Sequence, residues 1–370
     1  MPFRLPAKCQ GQEEDDVAAE GGGWIDGQAI RRFAHSVAVF IAGDANIFFP
    51  ALVALASVEE HNPRRFRKFI CFDKSGLTAD MIRLMARYDI EFVDANAVPT
   101  YESVKRLVPM KEGKWPPEIM LNWALPEYFA TLGYDYSVKM DYDVLCINPF
   151  TDFEMFTTGQ ILFSALYSKG STFVPAAASR TIESRTGFRC TFERAINAGV
   201  AVFDNRLAAD YRFFERYAAL YALLVEQCPE LPTLEQVALA IIAANLGQGF
   251  LPLDSRYNHR IRQLRTVQDF TTDIIIIHYL TRHKPWRPMT IRDVRKLTGA
   301  DIPVLPFYRS IWLDFASKIE GFHRYCNERP YSSTEVLCLA LAVFKEQNRI
   351  KDAARQAEPP TVLKRLIGGA

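Results

Sequence analysis

Val37-Ala38-Val39-Phe40-Ile41-Ala42 presents no polar side chain on either face of an extended chain. Side chains alternate in direction along a strand, so a run that is apolar at every position has to be covered on both sides. This rules out a strand with one solvated face and calls for a sheet with layers above and below. The residues that follow keep the matching rhythm. A helix is expected over residues 49–60, stopped by Asn62-Pro63, then a strand over 66–72. A second helix is expected over 77–88, with Leu77, Met81, Leu84 and Met85 at helical spacing, and a short strand at Ile90-Glu91-Phe92-Val93. Strand and helix in alternation predict an α/β fold built on a parallel, doubly wound sheet.

Ligands of such sheets bind in the crevice beyond the carboxyl ends of the strands. Gly43-Asp44-Ala45-Asn46 stands at the end of the first strand. Asp44 is therefore a candidate to accept from a base N–H or a ribose hydroxyl. An Asp-Asn helix N-cap explains the same residues, and from this stretch alone both readings stand. No Gly-x-Gly-x-x-Gly follows the strand and no Gly-x-x-x-x-Gly-Lys-Ser/Thr occurs. That argues against a dinucleotide-binding Rossmann domain and against a P-loop.

Further along, an apolar-leaning strand climbs through Tyr136-Ser137-Val138-Lys139-Met140 to Asp141-Tyr142-Asp143, and another apolar run follows. In an extended chain residues i and i+2 point to one side, so Asp141 and Asp143 can converge at the strand end. Two carboxylates at the mouth of a buried strand need a paired cation or a metal, since unpaired buried charge is very costly. Hard oxygen ligands suit Mg or Mn. Taken alone, Asp-x-Asp is as well explained by a solvated turn.

The rest of the chain supplies companions for that pair. Lys114-Trp115-Pro116-Pro117 reads as a loop, 118–131 as a helix and 161–166 as a strand. Residues 167–190 are polar and without clear period, the pattern of a binding loop or lid, or of plain surface irregularity. Ile196-Asn197-Ala198-Gly199-Val200 opens a strand with small residues, and Gly199 permits close backbone approach. A long helix is expected over 206–228, its stripe of Leu207, Tyr211, Phe214, Ala218, Tyr221 and Leu224 facing the core. A further helix over 232–245 holds Glu235-Gln236 in its first turn. Ile274-Ile275-Ile276-Ile277 is a buried strand that ends in His278, and Lys284 follows six residues later against Pro285-Trp286. One imidazole to complete a metal shell and one ammonium to hold phosphate make chemical sense together. From Ile291 onward the pattern is helical and carries no evident chemistry.

Composition narrows the alternatives. With 44 basic and 43 acidic residues the net charge is +1, which gives no bulk attraction to nucleic acid or to an acidic membrane. Seven cysteines are scattered without a Cys-x-x-Cys pair, so neither a zinc knuckle nor a disulfide framework is indicated, and reduced thiols in the cytoplasm are expected. The N-terminal stretch lacks the apolar core of a signal peptide, and the longest apolar runs are too short to span a bilayer. Glu13-Glu14-Asp15-Asp16 and Gly21-Gly22-Gly23 read as a mobile arm over residues 1–33. A catalytic domain over 34–290 and a C-terminal helical region over 291–370 complete the expected organisation.

Taken together, the blocks resemble glycosyltransferase family 8. Ala42-Gly43-Asp44-Ala45-Asn46 is similar to the family's first-strand nucleotide block, and Met140-Asp141-Tyr142-Asp143-Val144-Leu145 to its Asp-x-Asp block. Asn197-Ala198-Gly199-Val200 matches its Asn-Ala/Ser-Gly-Val block, and His278-Tyr279-Leu280-Thr281-Arg282-His283-Lys284-Pro285-Trp286 its His…Lys-Pro-Trp block, in the family's order. The resemblance implies a GT-A fold, a nucleotide-sugar donor such as a UDP-sugar, and Mn or Mg. It implies that Asp141, Asp143 and His278 bind the metal and that Lys284 holds the diphosphate. Ala42, Asp44, Asn46 and Tyr142 are then placed in the donor pocket, Asn197, Ala198 and Gln236 beside the sugar, with Glu235 next to Gln236. The acceptor would be a hydroxyl on a glycan or protein, and the C-terminal helices a candidate homodimer surface. Four positions depart from the family pattern. Asn122 stands where an arginine is common, Lys139 where an apolar or aromatic residue is usual, Glu235 where aspartate is usual and Thr281 where glycine is usual.

Overall fold

A computed structural model describes residues 36–107, 116–151, 153–156, 158–168, 174–231, 233–261, 270–280, 284–287 and 305–326, with six isolated positions beyond them. The expected arm over 1–33, Lys114-Trp115, Thr281 and most of the region after 326 lie outside the described residues.

The first strand, β1 (Val37–Ala42), is buried at every position, as its composition requires. Helix α1 (Phe48–His61) crosses to β2 (Arg67–Phe72), and α2 (Ala79–Arg87), capped by the Thr78 hydroxyl on the Met81 amide, crosses to β3 (Ile90–Asp94). After the short α3 (Tyr101–Arg106), α4 (Leu121–Thr131) leads into β4 (Tyr136–Met140) and β5 (Val144–Cys146). Then come β6 (Phe163–Tyr167), α5 (Ala176–Thr186) and β7 (Ile196–Asp204). Helices α6 (Asn205–Tyr211), α7 (Phe213–Gln227) and α8 (Leu234–Leu246) precede β8 (Phe250–Pro252), β9 (His259–Arg260) and β10 (Ile276–His278). Helices α9 (Leu305–Ala316) and α10 (Phe322–Tyr325) follow.

Seven strands form one sheet in the order β3-β2-β1-β4-β7-β6-β8, and a second sheet runs β5-β10-β9. The alternation of β1 is visible in its packing. Val37, Val39 and Ile41 join a buried cluster with α1 and Trp312 of α9, whereas Ala38, Phe40 and Ala42 join another with Trp123 of α4 and Tyr217 of α7. The sheet is thus covered on both faces, and α9 shares the core of β1. The strand order reverses at β1, whose neighbours are β2 on one side and β4 on the other, both parallel to it. The ends of β1 and β4 therefore open side by side at the switch point, where a crevice is expected.

Three expectations are corrected. The sheet is mixed: β7 runs antiparallel to both β4 and β6. A run buried along its whole length looks the same in either direction, so patterning does not report its sense. The long helix expected over 206–228 is two, broken at Arg212, which adopts φ 55. The apolar stripe continues through the break, which hides it. Within 167–190, residues Ala176–Thr186 are helical; only Ala178 and Ile182 are buried, one turn apart, too few to give a period. Among the described residues all six cysteines are free, five of them buried, and no helix is long and apolar enough to cross a membrane.

Candidate active site

β4 ends at Met140, and the next amide, that of Asp141, donates to the Gly199 carbonyl at 2.7 Å. Asp143 follows two residues on and leads into β5, whose partner β10 carries His278 opposite Val144. The Tyr279 amide returns to the Asp143 carbonyl at 2.8 Å. Three segments are thus locked together by backbone bonds, and the carboxylates and imidazole converge because their strand ends do. Their ligand atoms lie within 4.8 Å of one another. His278 Nε2 is 3.3 Å from Asp143 and 3.6 Å from Asp141.

The imidazole is oriented from behind. Asn258 donates its amide to Asn197 Oδ1 at 2.8 Å, which leaves its own Oδ1 to accept from His278 Nδ1 at 2.8 Å. With Nδ1 as the donor, Nε2 presents a lone pair to two carboxylates. That nitrogen is buried and makes no hydrogen bond among the described residues. A lone pair facing two anions needs a cation between them, and two carboxylates with an imidazole held by an outer-shell partner suit a divalent ion.

Gly199 makes the approach possible. A Cβ at this position would lie 2.1 Å from His278 Cε1 and 2.3 Å from Nδ1. The β6–β7 pairing also slips here: Ala165 pairs with Ala201, but Leu166 pairs with Asn197, so Ala198–Val200 bulge away from β6. Bulges re-aim backbone groups, and this one points the Ala198 and Gly199 carbonyls to Lys139 and Asp141.

Each aspartate also holds a lysine. Lys284 Nζ bonds Asp143 and donates to the Tyr279 carbonyl at 2.8 Å. Lys139 Nζ bonds Asp141, donates to the Ala198 carbonyl at 2.6 Å and sits 5.5 Å from the centre of the Trp123 ring. Burial alone would push the Asp143 carboxyl up, but the His278 ring when it carries a second proton, together with Lys284, outweighs it and holds it well below the usual carboxylate range; a bound cation takes the place of that second proton. Tyr142 lies between, its ring 5.8 Å from that of Trp286, and burial, with Asp143 and Asp141 adding, pushes its hydroxyl up to about 12.

The other expected site residues fall around this cluster. Ala42 is buried at the end of β1. Asp44 accepts from the Asn46 backbone amide and from its side chain, both at 3.0 Å, so the N-cap is formed. Gln236 donates to Glu235 at 3.5 Å in the first turn of α8, and Thr233, which launches that helix, holds φ 53. A β-branched residue in that region is strained. Burial raises the Glu235 carboxyl, Asp141 raises it further, and Lys139 partly offsets them, so Glu235 stands within the field of the cluster. Asn122, at the position where the resemblance expects arginine, is buried and ties its amide to the Ile119 carbonyl at 2.8 Å.

Three features were not foreseen as site residues. Asn258 has no local signal, because its role depends on two strands meeting it. Lys139 does carry one: a lysine inside an apolar strand, which is 2% exposed in the fold. Arg309 of α9 donates to the Lys284 carbonyl at 2.8 Å and also bonds the Arg287 carbonyl, so a helix that seemed free of chemistry fastens the Lys284 segment.

The Glycosyl transferase family 8 model matches residues 38–290. The fold is similar to that of the galactosyltransferase LgtC in complex with donor and acceptor sugar analogues, at 17% identity and a TM-score of 0.51, over 78% of this chain and 99% of that one. It is similar to GlyE of Streptococcus pneumoniae TIGR4, at 15% identity and a TM-score of 0.50, over 80% of this chain and 66% of that one. A third likeness is to the bifunctional glycosyltransferase WbbM, at 12% identity and a TM-score of 0.52, over 78% and 51% of the two chains. At these identities what is shared is the GT-A fold. No curated protein matches the chain.

Proposed function

The chain belongs to glycosyltransferase family 8, and we propose that it is a metal-dependent, retaining enzyme that moves a hexose or related sugar from a UDP-sugar to a hydroxyl of a glycan or protein. The observation that carries the metal is His278, a buried imidazole whose unpartnered Nε2 faces two carboxylates. Asp141, Asp143 and His278 would hold Mn or Mg, which supplies positive charge against the departing diphosphate. Lys284 has three N–H donors, two of them engaged by Asp143 and the Tyr279 carbonyl, which leaves one for a phosphate oxygen. Ala42, Asp44, Asn46 and Tyr142 border the nucleoside side, since β1 and β4 end next to each other. Asn197, Ala198 and Gln236 border the sugar.

Retention by double displacement would need an ionised carboxylate under the anomeric carbon. Gln236 is an amide, and Glu235, its neighbour on the helix, points about 100° away from it, with a carboxyl raised by burial. Both favour substitution on the face of the departing diphosphate, with a diphosphate oxygen taking the acceptor proton. Five buried free thiols fit a reducing compartment such as the cytoplasm.

A thermal-shift screen of UDP-, GDP-, CDP- and dTDP-sugars, with and without Mn, tests the donor. Stabilisation by a UDP-sugar that depends on Mn, followed by a product of unchanged anomeric configuration in the NMR spectrum, is the expected result. Binding without turnover would favour a catalytically dead binding module, and an inverted product would end the retaining assignment. Lys284→Ala should lower kcat by about 10²–10³, the scale for a lost charge-stabilising donor. A change in KM alone would mean uniform binding and would remove Lys284 from the catalytic step.

A further inference from the structure

Most buried cations of the described core are matched to anions. Lys68 pairs with Glu59 and Asp89, Lys139 with Asp141 and Lys284 with Asp143. Arg260 is not. It is 8% exposed, yet its guanidinium makes a single contact among the described residues, Nη1 donating to Ser168 Oγ at 2.8 Å, and its Nε is buried without a partner. No carboxylate among the described residues compensates it, and burial pushes its proton affinity down. A guanidinium offers five donors in a fork that matches the oxygens of a carboxylate or phosphate. A buried one left with a single hydroxyl is placed for an anion that arrives from outside.

Its position says which anion. Parallel β9 and β10 set Arg260 opposite His278, so both side chains leave the small sheet on one face. Asn258, in the turn that leads into β9, reaches the His278 ring. His278 is flanked on its other side by β5, next to Asp143 and Lys284. Arg260 thus stands two strand spacings, about 10 Å, from the strand that follows Asp143. Lys284 and the three candidate metal ligands already serve a diphosphate, and Arg260 lies beyond His278 on the side of Ser168, which follows β6.

We propose that Arg260 and Ser168 form an oxyanion subsite beside the Asp141–Asp143–His278 cluster, which receives a carboxylate or phosphate carried by the acceptor. This rests on the glycosyltransferase reading above. It specifies an acceptor class: an acidic sugar or a phosphorylated glycan, in preference to a neutral one. The subsite binds and orients, and no bond is made or broken there.

The test uses the full chain, with inorganic phosphate as the probe and calorimetry as the readout. Phosphate is titrated in the absence of nucleotide and again with UDP and Mg saturating the donor side. Wild type should bind phosphate in both arms. Arg260→Gln should bind it about 10- to 100-fold more weakly, the loss of hydrogen bonds to a charged group, while keeping its affinity for UDP–Mg. In phosphate-free buffer Arg260→Gln should melt close to wild type, because it loses one hydrogen bond, to Ser168, and no ion pair among the described residues. Should that variant not fold, Ser168→Ala, which keeps the charge, is expected to weaken phosphate binding several-fold. Phosphate that does not bind wild type with UDP–Mg present, or binds the Arg260 variant equally, would overturn the subsite. Loss of UDP–Mg affinity in Arg260→Gln would assign the guanidinium to the donor and overturn the acceptor role. Failure of wild type to bind UDP–Mg would count against the glycosyltransferase reading itself, while the nucleotide-free arm would still decide whether Arg260 holds an anion.

Discussion

Two polar turns end neighbouring parallel strands, and they handle their carboxylates in opposite ways. After β1, Asp44 satisfies both its oxygens on Asn46, two residues away. After β4, Asp141 and Asp143 bond nothing within their own turn; their partners are Lys139, Lys284 and His278. The first turn is complete with local groups alone, so it would form in any protein that needed a helix start there. The second gathers two anions, each already paired with a lysine, around a buried imidazole nitrogen that has no partner among the described residues. The difference separates a turn satisfied by its own residues from one that, under the proposed function, works on a ligand.

The contrast breaks most sharply at Asp143, the buried member of the pair. Asp143→Asn keeps the shape and removes the charge. Outer-shell partners of metal ligands cost ~10- to 100-fold in affinity when lost, so loss of a ligand should weaken Mn-dependent UDP binding by at least ~100-fold, read by calorimetry. Unchanged binding in this variant would reduce the second turn to a buried ion pair of Asp143 with Lys284 and no metal role.

Much of this contrast was legible in the sequence, and the reason lies in distance. The uniform burial of β1, the Asp-x-Asp step and the glycine of Asn197-Ala198-Gly199-Val200 are local patterns with local causes. Gly199 permits close approach, and what approaches is the His278 ring, at a distance where no Cβ fits. The unseen parts depend on segments meeting. Asn258 acquires its role only when Asn197 and His278 stand on either side of it. The break at Arg212 and the reversed direction of β7 leave the apolar pattern intact. The attachment of α9 to Lys284 runs through two carbonyls and a guanidinium, groups that periodicity does not weigh.

Glu235 sharpens the comparison by a smaller amount. Its carboxyl is raised above the ordinary 4.5, first by burial and then by Asp141, with Lys139 partly offsetting. The folded state therefore holds this proton more tightly than the unfolded chain does. A raised carboxyl contributes stability below the unfolded value and loses it as pH rises through the folded one. Glu235→Gln, which cannot ionise, should melt near wild type at pH 4 and progressively higher than wild type as pH approaches neutrality, followed by circular dichroism against pH. A variant that becomes relatively less stable with rising pH would mean that Lys139 dominates, and that Glu235 belongs to the ion-paired set.

The smallest effect is expected at Asp44, and it decides whether the first turn is only structural. As an N-cap its carboxylate accepts the Asn46 amide, a bond that serine can replace and alanine cannot. Loss of a cap costs about 1 kcal/mol, so Asp44→Ala should lower the melting temperature by a few degrees at most and Asp44→Ser by less. A donor contact follows a different order. If the same carboxylate also accepts from the nucleoside, neither the shorter serine nor alanine reaches it, and both should weaken UDP binding together by roughly tenfold, the scale of one hydrogen bond to a charged group. Stability that separates serine from alanine while UDP affinity does not separate them is the expected pair of results. UDP affinity equal to wild type in both variants would confine Asp44 to the cap and leave recognition of the nucleoside to Ala42, Asn46 and Tyr142.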